Sequence, residues 1–174
     1  MLVVVLAAAS AGTVLYGFYH FGKGLPEYQQ LADYNPPVVT RIHAGDGSLL
    51  AEFAREKRAF VPISNIPKKV IKAFLSAEDK KFYEHHGVDF ISIARALLTN
   101  LRRIGSDQRL VGASTITQQV AKNFFLTNEV SIDRKIKGAI LSLRMERAFT
   151  KSQILELYLN EIYLGYGSYG VAAA

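Results

Sequence analysis

The chain takes on a helical periodicity at residues 66–87, which read IPKKVIKAFLSAEDKKFYEHHG. Pro67 suits the first turn of a helix, and apolar residues three and four apart mark one of its faces: Val70, Ile71, Phe74 and Leu75. Glu78 and Asp79 then fall at the C-terminal end of this helix, where the macrodipole disfavours an anion. A carboxylate in that position suits a general base, although the segment alone also fits a charged surface cluster.

Four more helices are predicted downstream, over residues 89–102, 114–125, 131–149 and 151–164. Ser131 and Thr150 are the expected N-caps of the last two, and Gly165 is expected to end the final helix. In the helix over 89–102, the apolar residues expected to face inward are Ile91, Ile93, Ala94, Leu97, Leu98 and Leu101.

Residues 165–170 have the spacing G-x-G-x-x-G. Because they follow a helix rather than a strand, they predict a flexible turn and not a dinucleotide site.

The N-terminal segment, residues 1–22, has no acidic residue, lysine or arginine and is long enough for a transmembrane anchor. Aromatic residues at its end could form an interfacial belt: Tyr16, Phe18, Tyr19 and Phe21. A cleaved signal peptide is the alternative because residues 7–11 are small, but the basic region that precedes such a peptide is missing.

Between the anchor and residue 66 the chain reads as a linker, residues 23–37, followed by a small β element, residues 38–65. Within that element, the segments 38–42 and 49–53 flank Asp46 and Gly47, a pair that signals a hairpin. Residues 59–63 could add a third short strand. The expected fold is therefore mainly α, with the helical part over residues 66–174.

The composition favours an anionic partner. The 174 residues carry a net charge of +6, and between residues 102 and 151 ten lysines and arginines face only four acids. Nucleic acid, anionic lipid and a phosphorylated substrate are the candidate partners. The absence of cysteine excludes disulfides and thiolate metal sites. His85 and His86 are poor metal candidates because adjacent side chains point in different directions.

A second chemical motif, GASTITQQ, occupies residues 112–119 and is followed by Lys122 and Asn123. A glycine and hydroxyl residues at a helix start leave free backbone N–H groups, which can bind an anion. Ser114, Gln119 and Lys122 could then contact phosphate or sugar hydroxyls. As a nucleophile Ser114 lacks an elbow motif and a histidine partner, and its plain alternative is a helix N-cap.

Several of these segments together resemble the successive motifs of glycosyltransferase family 51. They are Glu78-Asp-x-x-Phe82-x-x-His85-x-Gly87, Gly112-x-Ser114-Thr115-Ile116-Thr117-Gln118-Gln119, Arg134-Lys135, Ile154–Asn160, and Gly170-Val171-x-Ala173-Ala174. The resemblance implies a mainly α, lysozyme-like domain with a membrane-embedded small lobe. It further implies polymerisation of lipid II into glycan strands, with inversion at the anomeric centre. The expected location is the bacterial inner membrane, with one span and the catalytic domain on the periplasmic side.

The resemblance also implies roles for single residues. Glu78 matches the general base that deprotonates the acceptor hydroxyl. The residues matching substrate-binding positions are Asp79, Phe82, His85, Ser114, Thr115, Gln118, Gln119, Lys122, Asn123, Arg134 and Lys135. The implied partners are lipid II, the growing glycan strand, membrane lipid and cell-wall synthesis proteins, with no nucleic acid. No resident cofactor or metal ligand is expected, although Mg or Mn could accompany the substrate pyrophosphate.

Two departures from the family pattern stand out. Gly138 occupies the position of the family's second glutamate, which assists departure of the donor phosphate. Glu146 lies eight residues on, roughly 12 Å along a helix, and cannot simply substitute. The match also stops before the end of the transferase domain, so the chain is expected to be an N-terminal fragment. The absence of Ser-x-x-Lys predicts no acylation by penicillin.

These departures keep other functions open. A catalytically inactive module that binds lipid II or a protein partner is the main alternative. A nucleic-acid-binding protein is suggested by charge alone, and a lysozyme-like hydrolase is suggested by the expected fold.

Overall fold

A computed structural model describes residues 1, 12, 16–26, 40–53, 57–126 and 131–174 of the chain. The described part is mainly helical, as predicted. Its principal helices are α1 (Lys68–Glu78), α2 (Phe90–Arg102), α3 (Ile116–Phe125), α4 (Ile132–Ala148) and α5 (Lys151–Glu161), with a short 3-10 helix at Ile63–Asn65.

Local capping chemistry explains where these helices begin. The side chains of Asp89, Ser131 and Thr150 accept hydrogen bonds from backbone N–H groups three residues on, which satisfies donors that the first turn leaves open. Ser131 and Thr150 are thereby confirmed as N-caps. Thr115 caps α3 in the same way and forms a capping box with Gln118, so Thr115 rather than Ser114 begins this helix.

The β structure differs in part from the prediction. β1 (Thr40–His43) and β2 (Leu49–Phe53) form the expected antiparallel hairpin. The predicted strand over 59–63 is wrong, because β3 is the short stretch Lys57–Arg58.

β3 pairs in parallel with β5 (Ser168–Tyr169), which pairs antiparallel with β4 (Tyr163–Gly165). This pairing explains why α5 ends at Glu161 and not at residue 164: the next residues leave the helix for a strand. The predicted flexible turn at 165–170 is therefore the tip and second strand of a hairpin.

The hydrophobic core is built mainly from the inner faces of α3, α4 and α5. Its fully buried side chains include Ile116, Val120, Leu141, Met145, Ile154, Leu155 and Leu159. α1 contributes partly buried residues, and Phe74 meets Tyr158 edge to face with ring centroids 6.0 Å apart. The residues that carry chemistry lie at the margin of this core, on the C-terminal end of α1 and around the start of α3.

The prediction that the apolar face of α2 points inward is wrong for most of that face. Ile91, Leu97, Leu98 and Leu101 are 60–62% exposed, whereas the buried residue of the helix is Ala96. Periodicity identifies an apolar face of a helix, but it does not say what covers that face. An exposed apolar strip of this size is typical of a surface that contacts another partner or a membrane.

The predicted anchor falls mostly on residues 2–11 and 13–15, and most of the predicted linker falls on 27–37, all outside the described residues. Residues 16–22 are helical. Arg144 of α4 donates a hydrogen bond to the Gly22 carbonyl at 3.2 Å. In the described part of the chain no helix is both long and apolar enough to cross a membrane.

Candidate active site

Glu78 is the last residue of α1, and its side chain is exposed. Gln119, on the second turn of α3, donates from Nε2 to Glu78 Oε2 at 2.9 Å. Because an amide donor fixes one carboxylate oxygen, the other oxygen of Glu78 is left to accept a proton from a bound molecule. The structure thus brings together two predicted site residues that are 41 positions apart in sequence.

Asp79 is buried directly behind this base. Its Oδ2 accepts a hydrogen bond from the backbone N–H of Ile116 at 3.0 Å and one from His85 Nε2 at 2.9 Å. The start of α3 was predicted to offer free N–H groups to an anion. That part of the prediction is wrong for Ile116, because its N–H group already donates a hydrogen bond to the carboxylate of Asp79. The carboxylate also lies at the positive end of the helix dipole.

His85 has a defined role in holding Asp79. Its Nδ1 accepts a hydrogen bond from the Gly87 N–H at 3.1 Å, so its Nε2 is the nitrogen that carries the proton donated to Asp79. Gly87 in turn accepts from Thr115 Oγ1 at 2.6 Å. The chain from Thr115 through Gly87 and His85 to Asp79 ties the loop after α1 to the start of α3.

Three predicted substrate-binding residues differ from the prediction in what they contact. Phe82 is only 1% exposed and belongs to the hydrophobic core. Gln118 accepts from the Thr115 backbone N–H through its side chain, as the second half of the capping box. His85 is directed at Asp79. These residues shape the site from behind rather than face it.

A cleft of about 330 Å³ opens beside Glu78. Among its lining residues are the predicted site residues Glu78, Asp79, Ser114 and Thr115. Six other polar residues that line the cleft were not predicted as site residues: Ser76, Lys80, Lys81, Asp89, Ser92 and Arg95. A cation between Ala94 and Ala96, within the run of apolar residues before Thr99, was the available signal for Arg95.

The other predicted substrate residues lie along α3 and α4, and none of them lines the cleft. Lys122 and Asn123 follow Gln119 by three and four residues, so they share its helical face. Arg134 and Lys135 lie in the first turn of α4, where Arg134 is half-buried and Lys135 is exposed. The site therefore has a carboxylate at the cleft and cationic groups further along the helices.

Two groups near the base have shifted proton affinities. Burial raises the pKa of the Tyr158 hydroxyl well above its ordinary value, and the negative charge of Glu78 adds to this effect. Hydrogen bonds from the Ser92 side chain and backbone lower the pKa of Asp89, which lines the cleft. Tyr158 thus stays neutral and Asp89 stays charged around neutral pH.

Gly138 is buried in the interior of α4. Among the described residues, a Cβ built at this position would meet only the Leu126 side chain, at 3.7 Å, which is an ordinary van der Waals distance. The backbone therefore does not require glycine here. Glu146 does not replace the missing carboxylate, because its Oε1 accepts from Thr117 Oγ1 at 2.6 Å and from Lys151 Nζ at 2.7 Å.

We predict that Gly138→Ala stabilises the chain by about 0.5–1 kcal/mol, because glycine costs that much in a helix interior and the added methyl group has room. Thermal unfolding in detergent, followed by circular dichroism, measures the effect. Gly87→Ala, at a position without such room, is the contrasting variant. A Gly138→Ala chain that unfolds at a lower temperature would contradict the open space seen around the Cβ.

Within the described ranges, no group of three or more histidine, aspartate or glutamate side chains is arranged to hold a metal ion.

Comparison with known proteins shows the family to which the chain belongs. Residues 46–174 match the family model described as Transglycosylase. The chain is 56% identical to penicillin-binding protein 1A of Rickettsia felis over 170 residues, which cover 98% of the chain and 22% of that relative.

More distant organisms give the same result. Penicillin-binding protein 1A of Escherichia coli K12 is 45% identical over 175 residues, covering 100% of the chain and 20% of the relative. Penicillin-binding protein 1A of Aquifex aeolicus is 45% identical over 152 residues, which cover 87% of the chain and 20% of that relative. The chain therefore spans about a fifth of the length of these curated relatives. The family model matches most of the chain, and these relatives are similar to nearly all of it. The chain therefore belongs to the transglycosylase family, glycosyltransferase family 51, which forms the transglycosylase domain of class A penicillin-binding proteins.

Proposed function

We propose that this chain is the front part of a peptidoglycan glycosyltransferase that polymerises lipid II into glycan strands. The observation that carries the proposal is the carboxylate of Glu78, held by Gln119 at the edge of a polar cleft within the matched residues 46–174. A general base needs a free oxygen within reach of a bound hydroxyl, and this geometry supplies one.

In the proposed reaction, the acceptor sugar hydroxyl binds in the cleft and donates its proton to the free oxygen of Glu78. The hydroxyl oxygen forms a bond to C1 of the donor sugar as the bond between C1 and the pyrophosphate oxygen breaks. The electron pair of the broken bond leaves with the pyrophosphate, and the configuration at C1 inverts. Asp79 and His85 hold the loop that directly follows Glu78.

The donor pyrophosphate would bind the cationic groups along α3 and α4, namely Lys122, Arg134 and Lys135. Their charge supports departure of an anionic leaving group, since oriented cations stabilise charge that develops in the transition state. Magnesium or manganese would enter with the pyrophosphate as part of the substrate. The described residues offer no cluster of three or more histidine or carboxylate donors for such an ion.

The exposed face of α2 supports a position at the surface of the bacterial inner membrane. Its leucines and isoleucine are suited to the lipid carrier and to the outer edge of the bilayer. Residues 1–22 would provide a single span, and the catalytic domain would lie on the periplasmic side. Lipid II reaches an enzyme from within the membrane, so an apolar helix next to the cleft gives its carrier a path to the site.

We predict that the α2 face enters the lipid. The chain contains no cysteine, so Leu98→Cys and Ser152→Cys each introduce one labelling site, the first on the apolar face and the second on the exposed face of α5. After reconstitution into vesicles, a polarity-sensitive fluorophore at residue 98 should shift to shorter wavelength and resist quenching by iodide. The same fluorophore at residue 152 should stay accessible. Equal iodide quenching at both positions would rule out the membrane contact.

A second candidate function is a catalytically inactive module that binds lipid II or a partner protein. The specific observation in its favour is Gly138, which leaves the family's second carboxylate position empty while Glu146 is engaged elsewhere.

Polymerisation of labelled lipid II in detergent tests the proposal. Glycan that depends on Glu78 supports the transferase. Lipid II binding without any glycan, even from a chain given a glutamate at position 138, favours the binding module.

A further inference from the structure

Three cations line the cleft, Lys80, Lys81 and Arg95, and the proposed reaction uses none of them. Arg95 lies in the middle of α2 and lines the cleft together with Glu78 and Ser114. Across residues 40–53, 57–126 and 131–174, no carboxylate lies within ion-pair distance of its guanidinium group. An arginine that lines a polar cleft without a counter-ion is suited to an anionic ligand.

The carboxylates that share the cleft are committed to other groups. Glu78 accepts from Gln119, and Asp79 accepts from His85 and from the Ile116 N–H. Asp89 accepts from the Ser92 backbone N–H and hydroxyl at the start of α2. Among the described residues none of the three forms an ion pair with Arg95, so the charge of its guanidinium is available to a molecule that fills the cleft.

The position of Arg95 on α2 is also informative. Ile91 lies one turn before it and Leu98 one turn after it, and both are more than half exposed. A helix that presents apolar side chains to lipid would place a cation among them at the boundary between lipid and water. Phosphate groups of a lipid carrier lie at that depth, and the sugar and peptide of the same molecule lie just above it.

We propose that Arg95 binds an anionic group, a phosphate or a carboxylate, of the lipid-linked acceptor. This inference rests on the proposed function, because it assigns the cleft beside the base to the acceptor. The proposed acceptor site is separate from the proposed donor site, because the donor-binding residues do not line the cleft: Lys122, Arg134 and Lys135. The guanidinium would fix the acceptor at one end while its hydroxyl meets Glu78, and Arg95 is thereby a specificity-determining residue.

The test measures binding of fluorescent lipid II to the whole chain in detergent, in a Lys122→Ala background that weakens the donor side. Adding Arg95→Gln should lower the remaining affinity about tenfold, the range expected for loss of one charge-assisted hydrogen bond. The matched control is Arg102→Gln, because Arg102 is an exposed arginine on the same helix that does not line the cleft. Its affinity should stay within about twofold of the background.

Three ligands identify the source of the anion: lipid II with its peptide, lipid II without the peptide, and undecaprenyl pyrophosphate. A loss of affinity with all three assigns the phosphates, and a loss only with the peptide-bearing ligand assigns a peptide carboxylate. An unchanged affinity, or an equal loss in Arg102→Gln, overturns the role of Arg95 and leaves the proposed function standing. If the unmodified chain binds no lipid II, the proposed function fails and this inference fails with it.

Discussion

Gly138→Glu should raise the rate of glycan formation from labelled lipid II by about a hundredfold or more over the unmodified chain. In the proposed reaction the family's second glutamate would assist departure of the donor phosphate, and this chain has Gly138 at the matching position. The Cβ of a new side chain fits at 138, since its nearest contact is the Leu126 side chain at 3.7 Å. Replacing glycine also removes its cost in a helix interior, which offsets part of the cost of placing a carboxylate at this buried position.

Two further variants make this experiment decisive. Gly138→Gln adds a side chain of the same length without a charge, and it should leave the rate near that of the unmodified chain. Glu78→Gln in the Gly138→Glu background removes the base and should lower the rate about 10²- to 10⁴-fold. Each variant is also made with the sequence extended by the remainder of a relative's transferase domain.

The outcomes separate the two candidate functions. Glycan from Gly138→Glu that disappears with Glu78→Gln supports the transferase and shows that Gly138 limits its activity. Lipid II binding without glycan from the extended Gly138→Glu chain would instead reject the catalytic assignment in favour of a binding module.

Much of the fold could be predicted because it rests on local chemistry. Ser131 and Thr150 cap their helices through contacts three residues away, and the Asp46 and Gly47 turn sets the hairpin of β1 and β2. What could not be predicted depends on partners far along the chain. Asp79 accepts a hydrogen bond from the Ile116 N–H, 37 residues further along the chain. This bond uses an N–H group that the local sequence predicted to be free for an anion.

The orientation of α2 shows the same limit. Its apolar periodicity is genuine, but only the packing of α3, α4 and α5 decides that this face is left uncovered. The candidate site was predicted as a set of residues, and four of them line the cleft: Glu78, Asp79, Ser114 and Thr115. Some of these residues line the cleft, whereas others, such as Phe82, lie in the core behind it. Only the three-dimensional structure distinguishes the two groups.

Gly87→Ala should destabilise the chain by about 3 kcal/mol, which combines backbone strain with a steric clash. Gly87 has φ +90°, and a Cβ there would lie 2.7 Å from the carbonyl oxygen of Ser142 in α4. That obstacle is helix backbone, which cannot rotate away as a side chain could. The thermal midpoint in detergent should fall by about 6–12 °C, at about 2–4 °C per kcal/mol for a chain of this size.

Gly105→Ala is the matched control for this prediction. Gly105 has nearly the same backbone angle, φ +83°, but no atom lies within 4 Å of an added Cβ. It should therefore show the strain alone, about 1 kcal/mol and a midpoint lowered by about 2–4 °C. Equal shifts in the two variants would mean that the contact between Gly87 and Ser142 does not exist.

Gly87→Ala should also lower the catalytic rate. Gly87 donates to His85 Nδ1 and accepts from Thr115 Oγ1, so moving its backbone away from α4 displaces the histidine that holds Asp79. In the Gly138→Glu background, the rate of Gly87→Ala measured well below its thermal midpoint should still fall at least tenfold, while that of Gly105→Ala stays near the parent. A reduced rate in the folded variant would mean that Glu78 and Asp79 are displaced. A Gly87→Ala chain that unfolds at a lower temperature but has a normal rate when folded would show that the loop does not affect catalysis.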